Sequence, residues 1–339
     1  MIETPLAILP LDRSFQEICD WFEFHVLSSE YHCASFSELA RIWDKRRNSE
    51  NTDFEDSGNT QEESFLEEVN QIIRERITFL GDCYPFKFSE NDEELIYDKD
   101  NLNAGSIIYL FCLFLSNKNK TDIFDDDSFF EIDNKIRDLF QACATWAAAG
   151  EIDGHAYSFG SPRADHSGFL VKLKTIYQHF SDGKVRNSPL PGAPISPKDE
   201  EIDIIAWHPR EDGAPGTYYL LGQVASGENW EAKSITGAID AFHRNWFETL
   251  PASKPTPAMF IPFNIIPTKK ETFQERISYL TPRYGTIFYR YRIPLKAKKG
   301  LEISCAKQSL VIERTTEINK IAKWVSKVID NFRKSCVYS

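Results

Sequence analysis

Two short apolar runs in the second half of the chain constrain its fold most. The first, "EEIDIIAW", covers 200–207, and the second, "YYLLGQVASG", covers 218–227. The segment between them, "HPREDGAPGT", is rich in the Gly and Pro residues of turns, so the two runs are predicted to pair as a long hairpin. Each run also carries a polar residue for which a buried strand has little use, Asp203 in the first and Gln223 in the second.

Alternation of side chains gives Asp203 a defined face of its strand. Asp203, Ile205 and Trp207 are predicted to share one face, and Ile202 and Ile204 the other. Burying a carboxylate is costly unless it is paired or binds a cation. Asp203 is therefore predicted to have a partner.

The hairpin supplies that partner from its second strand. Pairing brings Asp203 near Gln223, whose side-chain carbonyl is a hard oxygen ligand, and near the backbone carbonyl of Val224. These three oxygens predict a half-cage for a hydrated Mg²⁺, which could activate water and stabilise charge on a phosphate. Glu201 is predicted on the same side as Asp203, where it either assists a second metal ion or is solvated.

The order of these elements resembles the PD-(D/E)XK nuclease superfamily. The resemblance covers roughly 151–300, and the glutamine variant is similar to the restriction-type Mrr branch. It implies a restriction-endonuclease-like mixed sheet in which Asp203 and Gln223 bind Mg²⁺ or Mn²⁺ and a lysine positions the attacking water. That lysine is expected two residues after Gln223, where this chain has Ala225, so Lys233 in the following helix is the predicted substitute.

Each of these residues also has a purely structural interpretation. Asp203 could begin a strand or form a salt bridge, Gln223 could hydrogen-bond at a sheet edge, and Lys233 could be a solvated helix lysine. His155 and His166 precede the helical segment "FLVKLKTIYQHF" and could be metal ligands, proton shuttles or structural residues. Phosphate-loop, dinucleotide-binding, esterase and zinc-protease motifs do not occur in the sequence.

Hydrophobic periodicity predicts two domains. Residues 1–150 have helical patterns, including one that begins near Ser14 and the run "SIIYLFCLFL", and predict an acidic all-α domain interrupted by a flexible polar loop over 46–64. Residues 151–339 predict an α/β domain with a mixed sheet, in which "PAMFIPFNII" and "YGTIFYRYRIPL" are further strands and a lysine-rich helix comes last.

Charge is distributed unevenly between these halves. Residues 1–150 hold 31 acidic and 13 basic residues, a net charge of −18, whereas 151–339 hold 20 acidic and 26 basic residues, a net charge of +6. A basic second half would attract a polyanion. A nucleic-acid-binding surface is predicted from one cluster of cations around "YRYRIP": Arg290, Arg292, Lys296, Lys298 and Lys299.

The leading functional hypothesis is a metal-dependent DNA endonuclease that leaves a 5′-phosphate and a 3′-hydroxyl. The resemblance implies a prokaryotic restriction or anti-phage defence system, with the helical domain docking a partner such as an ATPase or helicase, or forming a homo-oligomer. Loss of the lysine at Ala225 leaves a second hypothesis open, a degenerate nuclease-fold protein that binds nucleic acid or a partner subunit without cleavage. A third is an assembly component that involves no nucleic acid.

The sequence favours a cytoplasmic protein with no membrane partner. Its first residues lack a basic segment followed by a long apolar one, and no window of 18 or more apolar residues occurs. Its cysteines are scattered and never form a C-x-x-C pair, which favours reduced thiols over a disulfide framework or a structural zinc site.

Overall fold

The computed structural model describes residues 5–50, 58–120, 122–192, 200–268 and 270–337. Within these ranges the helices are α1 (Phe15–Ser28), α2 (Phe36–Glu50), α3 (Gly58–Leu80), α4 (Ala104–Asn117), α5 (Asn134–Ile152), α6 (Phe169–Phe180), α7 (Ile235–Trp246), α8 (Phe273–Tyr284), α9 (Arg292–Ala306) and α10 (Ile318–Val337). The strands are β1 (Cys33–Ser35), β2 (Phe86–Phe88), β3 (Glu94–Tyr97), β4 (His155–Ser158), β5 (Lys184–Val185), β6 (Ile204–Trp207), β7 (Tyr219–Val224), β8 (Phe247–Thr249), β9 (Thr256–Phe260) and β10 (Thr286–Phe288).

The chain divides into two compact units at places other than the predicted boundary at residue 150. The first unit is Met1–Asp133 together with Asn319–Ser339, and the second is Asn134–Ile318. Helix α5 belongs to the second unit because it packs on β4, β6 and β7 and against α9. Helix α10, predicted to close the second domain, lies in the first unit.

The first unit is built around α4, as its uniformly apolar sequence predicts. The helix is almost entirely buried, and α1 begins at the predicted Ser14, whose side chain caps it. Helix α10 joins this core through Phe332, which contacts the ring of Phe24, and through Trp324, which contacts that of Phe111. The unit also contains a three-stranded antiparallel sheet in the order β1-β3-β2, so it is not purely helical.

The flexible loop predicted over 46–64 is largely helical. Helix α2 continues to Glu50 and α3 begins at Gly58, while 51–57 lie outside the described residues. Arginine, glutamate and glutamine favour helices, so a segment without apolar periodicity can still extend the helices on both of its sides.

The second unit contains a five-stranded mixed sheet flanked by helices, which confirms the predicted α/β class. Its strand order is β10-β9-β7-β6-β4. Strands β4, β6 and β7 are antiparallel neighbours, whereas β7, β9 and β10 run parallel. Strands β5 and β8 form a separate two-stranded sheet.

The predicted hairpin is strands β6 and β7. Ile204 pairs with Gly222 and Trp207 with Tyr219, so the register, continued by one residue, sets Asp203 opposite Gln223. Ile205 and Trp207 share one face as predicted, since both enter the core cluster beneath α6 and α7. Ile202 enters the same cluster, although alternation predicts the opposite face, because it precedes the strand and follows a pair of left-handed residues.

Helices α5 and α9 cross in backbone contact at two glycines. A Cβ atom on Gly150 would overlap the backbone carbonyl of Lys296, and one on Gly300 would overlap that of Trp146. Both positions therefore require glycine for its lack of a side chain. Among the described helices, none has the length and apolar character needed to cross a lipid bilayer.

Candidate functional site

A polar cleft opens in the second unit where β6 begins and β7 ends. Its volume is about 480 Å³. It is lined by residues of helix α5, of the segment after β4, and of the segments around β6 and β7: Asn134, Arg137, Asp138, Gln141, Ser161, Pro162, Glu201, Asp203, Val224, Ser226 and Lys233. Four predicted site residues thus line this one cavity: Glu201 and Asp203 from the segment before β6, Val224 at the end of β7, and Lys233 after it.

Asp203 is held on every side of its backbone. Its amide nitrogen donates to Gly222 at 2.8 Å, and its carbonyl oxygen accepts from the amides of Phe159 at 2.7 Å and Gly160 at 3.1 Å. The carboxylate Oδ2 accepts from the amide of Val224 at 2.7 Å. A charge-assisted bond of this kind fixes the direction in which the carboxylate points.

Gly160 leaves space for the carboxylate of Asp203 because it has no side chain. A Cβ atom added to Gly160 would overlap Asp203 Oδ1 and would lie 2.6 Å from Gln141 Nε2. The backbone of the segment after β4 thus approaches Asp203 more closely than any residue with a side chain allows.

Gln223 lies behind the cleft and does not line it, which differs from its predicted position. Its side chain is buried, and its amide nitrogen donates to Glu201 Oε2. Its carbonyl oxygen Oε1 accepts no hydrogen bond from any described residue. An unpaired buried acceptor is costly, so this oxygen is suited to a water molecule or a cation.

Ala225 explains why the expected lysine is missing. Its side chain lies in an apolar cluster with Trp230 and Met259, where a lysine amine would be stripped of water. The residues of this segment that do line the cleft are Val224 and Ser226.

Lys233 lines the cleft from a position eight residues after Ala225, where the lysine was expected. It follows a short 3₁₀ turn over Glu228–Ala232 and precedes α7, so it is not inside the helix as predicted. The side chain is half-buried, and its amine forms no ion pair with a described residue. The amine is therefore available for a ligand.

The backbone is strained immediately before Asp203. Glu200 and Glu201 adopt left-handed conformations with φ values of 55° and 68°. Such conformations cost on the order of 1–3 kcal/mol each for residues other than glycine, and they cluster at functional sites. Here they turn Glu201 toward the cleft.

Helix α5 supplies one wall of the cleft, which the sequence analysis missed. Asn134, Arg137, Asp138 and Gln141 recur at helical spacing, and that polar stripe on a mostly buried helix is the signal that could have revealed it. Arg314 fixes Asp138 from behind with contacts of 3.0 and 2.5 Å. Gln141 and Arg314 both bind the hydroxyl of Ser158, at 2.8 and 3.4 Å.

The histidines of the predicted junction do not line this cleft. His166 lies in an exposed turn, where its amide bonds to the carbonyl of Arg163. His155 is buried in β4, where its ring contacts His179 at a centroid distance of 4.4 Å.

The predicted nucleic-acid-binding cluster does not lie on a strand. Strand β10 ends at Phe288 and helix α9 begins at Arg292, so Arg290 and Arg292 do not share a strand face. Arg290 is buried, Lys296 pairs with Glu151 at 2.8 Å, and Lys298 lies 3.7 Å from Glu302. Lys299 remains exposed.

The cleft offers oxygen ligands in small number. Among the described residues, no group of three or more His, Cys, Asp and Glu side chains could hold a metal ion. Mg²⁺ nevertheless needs only one or two carboxylates, because it keeps several water ligands. Asp203 and Glu201, with the unpaired oxygen of Gln223 behind them, suit such an ion in their chemistry.

No family model, curated protein or solved structure matches this chain.

Proposed function

We propose that the second unit is a metal-dependent nuclease that hydrolyses phosphodiester bonds in DNA. One observation carries the proposal: Lys233 lines the same cleft as Asp203 and Glu201, although it lies 30 residues further along the chain than Asp203. Two acidic side chains and an available amine are the groups that metal-assisted phosphodiester hydrolysis requires. The strained backbone at Glu200 and Glu201 further supports a functional site.

Asp203 and Glu201 would hold Mg²⁺ or Mn²⁺ at the open end of the hairpin, where β6 begins and β7 ends. The ion would supply positive charge that activates water and stabilises negative charge on the phosphate. Gln223 would act from behind, since its amide orients the carboxylate of Glu201. This differs from the ligand set of Asp203, Gln223 and Val224 that the sequence predicts.

The cations of the cleft would act on the phosphate and on water. Lys233 can donate to the attacking water or to a phosphate oxygen, and Arg137, which now contacts Ser226 at 3.3 Å, lies on the facing wall. Donors positioned where negative charge develops lower the barrier directly. The water oxygen bonds to phosphorus as the bond to the 3′ oxygen breaks, which leaves a 5′-phosphate and a 3′-hydroxyl.

A restriction or anti-phage role, with the first unit docking an ATPase, a helicase or a second copy, is part of the same proposal. Its support is the sequence resemblance alone, which is an argument by analogy.

Relaxation of supercoiled plasmid in Mg²⁺ or Mn²⁺ tests the proposal. We expect nicking by the wild-type protein and by Lys254→Ala, an exposed lysine that does not line the cleft. Asp203→Ala and Lys233→Ala should each lose most of the activity. Equal nicking by all four proteins would remove the proposed site.

A specific observation also favours the degenerate alternative. The side chain of Ala225 lies in an apolar cluster, and Gln223 lies behind the cleft. A nuclease-fold protein without activity would bind DNA in a salt-sensitive manner and would show no metal-dependent cleavage in the same assay.

A further inference from the structure

One face of helix α10 presents three lysines to solvent, Lys323, Lys327 and Lys334. All three residues are exposed. The three side chains line a shallow groove of about 630 Å³ with Ala322, Ser326, Asp330 and Asn331. None of the three lysines forms an ion pair within the described part of the chain, and Asp330 is the one carboxylate in the lining of the groove.

The surrounding unit makes this face unusual. Met1–Asp133 and Asn319–Ser339 together hold 31 acidic and 16 basic residues, a net charge of −15. Several other cations in this unit are paired with its carboxylates: Arg13 with Asp122, Arg74 with Asp92, Lys87 with Asp98, Lys118 with Asp127 and Lys120 with Glu17. Carboxylates are plentiful in the unit, yet Lys323, Lys327 and Lys334 pair with none that the structure describes, which leaves them for an external anion.

The lysines are spaced along one line of the helix. At 3.6 residues per turn, Lys323, Lys327 and Lys334 point within about 40° of one another. They span about 17 Å of helix axis at a rise of about 1.5 Å per residue. One strand of a DNA duplex presents about five phosphates over that length, at about 3.4 Å each.

We infer that this face of α10 binds the phosphate backbone of a nucleic acid, without reading its sequence. Phosphate contacts of this type depend on charge and need no apolar anchor. An acidic protein partner or a second copy of this chain would require a desolvated apolar or aromatic centre, and the groove offers only Ala322. The inference goes beyond the proposed nuclease activity and does not require that the cleft be catalytic.

Fluorescence anisotropy with a short labelled duplex in EDTA tests the inference without cleavage. Binding is measured from about 50 to about 200 mM NaCl. For Lys323→Gln/Lys327→Gln/Lys334→Gln, we expect the slope of log affinity against log salt to become shallower by about 2 to 3, since each phosphate contact contributes about 0.9.

Two further variants separate this effect from charge loss and misfolding. Lys45→Gln/Lys87→Gln/Lys99→Gln removes the same charge from other exposed positions of the same unit and should leave the slope near that of the wild type. Asp330→Asn removes the one carboxylate of the groove and should tighten binding, which a damaged fold would not do.

Several results would overturn the inference. Absence of duplex binding by the wild type would do so, as would equal slopes for the α10 variant and the matched control. Loss of self-association in the α10 variant, measured by sedimentation with DNA binding intact, would assign the face to a second copy instead.

Discussion

At the scale of single residues, Gly160 is the tightest constraint on the cleft. Its φ is not in the left-handed region, so only lack of space forbids a side chain there. An added Cβ would displace the Asp203 carboxylate and the Gln141 amide, which are the groups that face the cleft from two walls.

Gly160→Ala should therefore lower metal-dependent nicking by at least about tenfold, because small displacements of reacting groups cost on the order of 10²-fold in rate. Gly168→Ala is the matched control: Gly168 has a φ of −71° and nothing within 4 Å of the added Cβ. Rates and thermal midpoints are measured for both variants. Equal nicking by the two would show that the position of Asp203 does not matter.

His155 predicts how stability depends on pH. Burial, and secondarily the charge of His179, lowers the pKa of His155 to about 4. Its Nδ1 accepts from the amide of Val311 at 3.0 Å, which requires an unprotonated nitrogen. Between pH about 6.5 and pH about 4, His155 therefore binds a proton in the unfolded chain but not in the folded chain.

The free energy of unfolding should therefore fall by up to about 3 kcal/mol between pH about 6.5 and pH about 4. Urea denaturation at several pH values measures this slope. His155→Gln keeps a polar side chain without the titration and should flatten the profile across this window. Parallel profiles for wild type and variant would assign the acid sensitivity to other groups.

Individual site residues were predictable to different degrees. Asp203, Glu201 and Lys233 follow from their order in a hairpin and the segment after it, and all three line the cleft. The direction in which the side chains of Gln223 and Ala225 point could not be predicted. Alternation along β7 does not determine which of its two faces an apolar cluster will cover. Residues of α5 were missed because helix and hairpin are far apart in the chain.

At the scale of elements, the α5 and α9 crossing is set by two glycines. Gly150→Ala should destabilise the protein by about 1–3 kcal/mol, because its Cβ would force the backbone of α9 to move.

Gly237→Ala is the control and should stabilise the protein. Gly237 lies in α7 with its nearest contact at 3.8 Å, so alanine should add up to about 1 kcal/mol through helix propensity. Chemical denaturation of both variants checks the difference, and equal effects would contradict the close crossing.

The predicted secondary structure was wrong where a strand-like composition runs into a helical apolar stripe. The run around Tyr289 and Arg292 has the aromatic and β-branched composition of a strand, yet only its start is β10. The buried positions Ile293, Ala297, Gly300 and Ile303 recur at helical spacing and show that α9 follows immediately. Composition predicted a strand, whereas the apolar stripe on the next turns determined the helix.

At the scale of the whole molecule, the sequence predicts two parts of opposite charge but not the part to which the last helix belongs. The second unit holds 20 acidic and 23 basic residues, a net charge of +3, once α10 is assigned to the first unit. The apolar stripe of α10 is visible in the sequence. Its partners are the rings of Phe24 and Phe111, which precede Phe332 and Trp324 by 308 and 213 residues, and periodicity contains no information about such distant pairings.

We propose that Asp203 anchors a metal-dependent nuclease cleft. The most direct test is the single-turnover rate of duplex cleavage in Mg²⁺ by wild type and Asp203→Asn, with DNA affinity measured on the same preparations. We expect the variant, which keeps the shape of the side chain and loses its charge, to cleave at least about a hundredfold more slowly at unchanged affinity. Cleavage at the wild-type rate by Asp203→Asn, or no metal-dependent cleavage by the wild type, would contradict the claim.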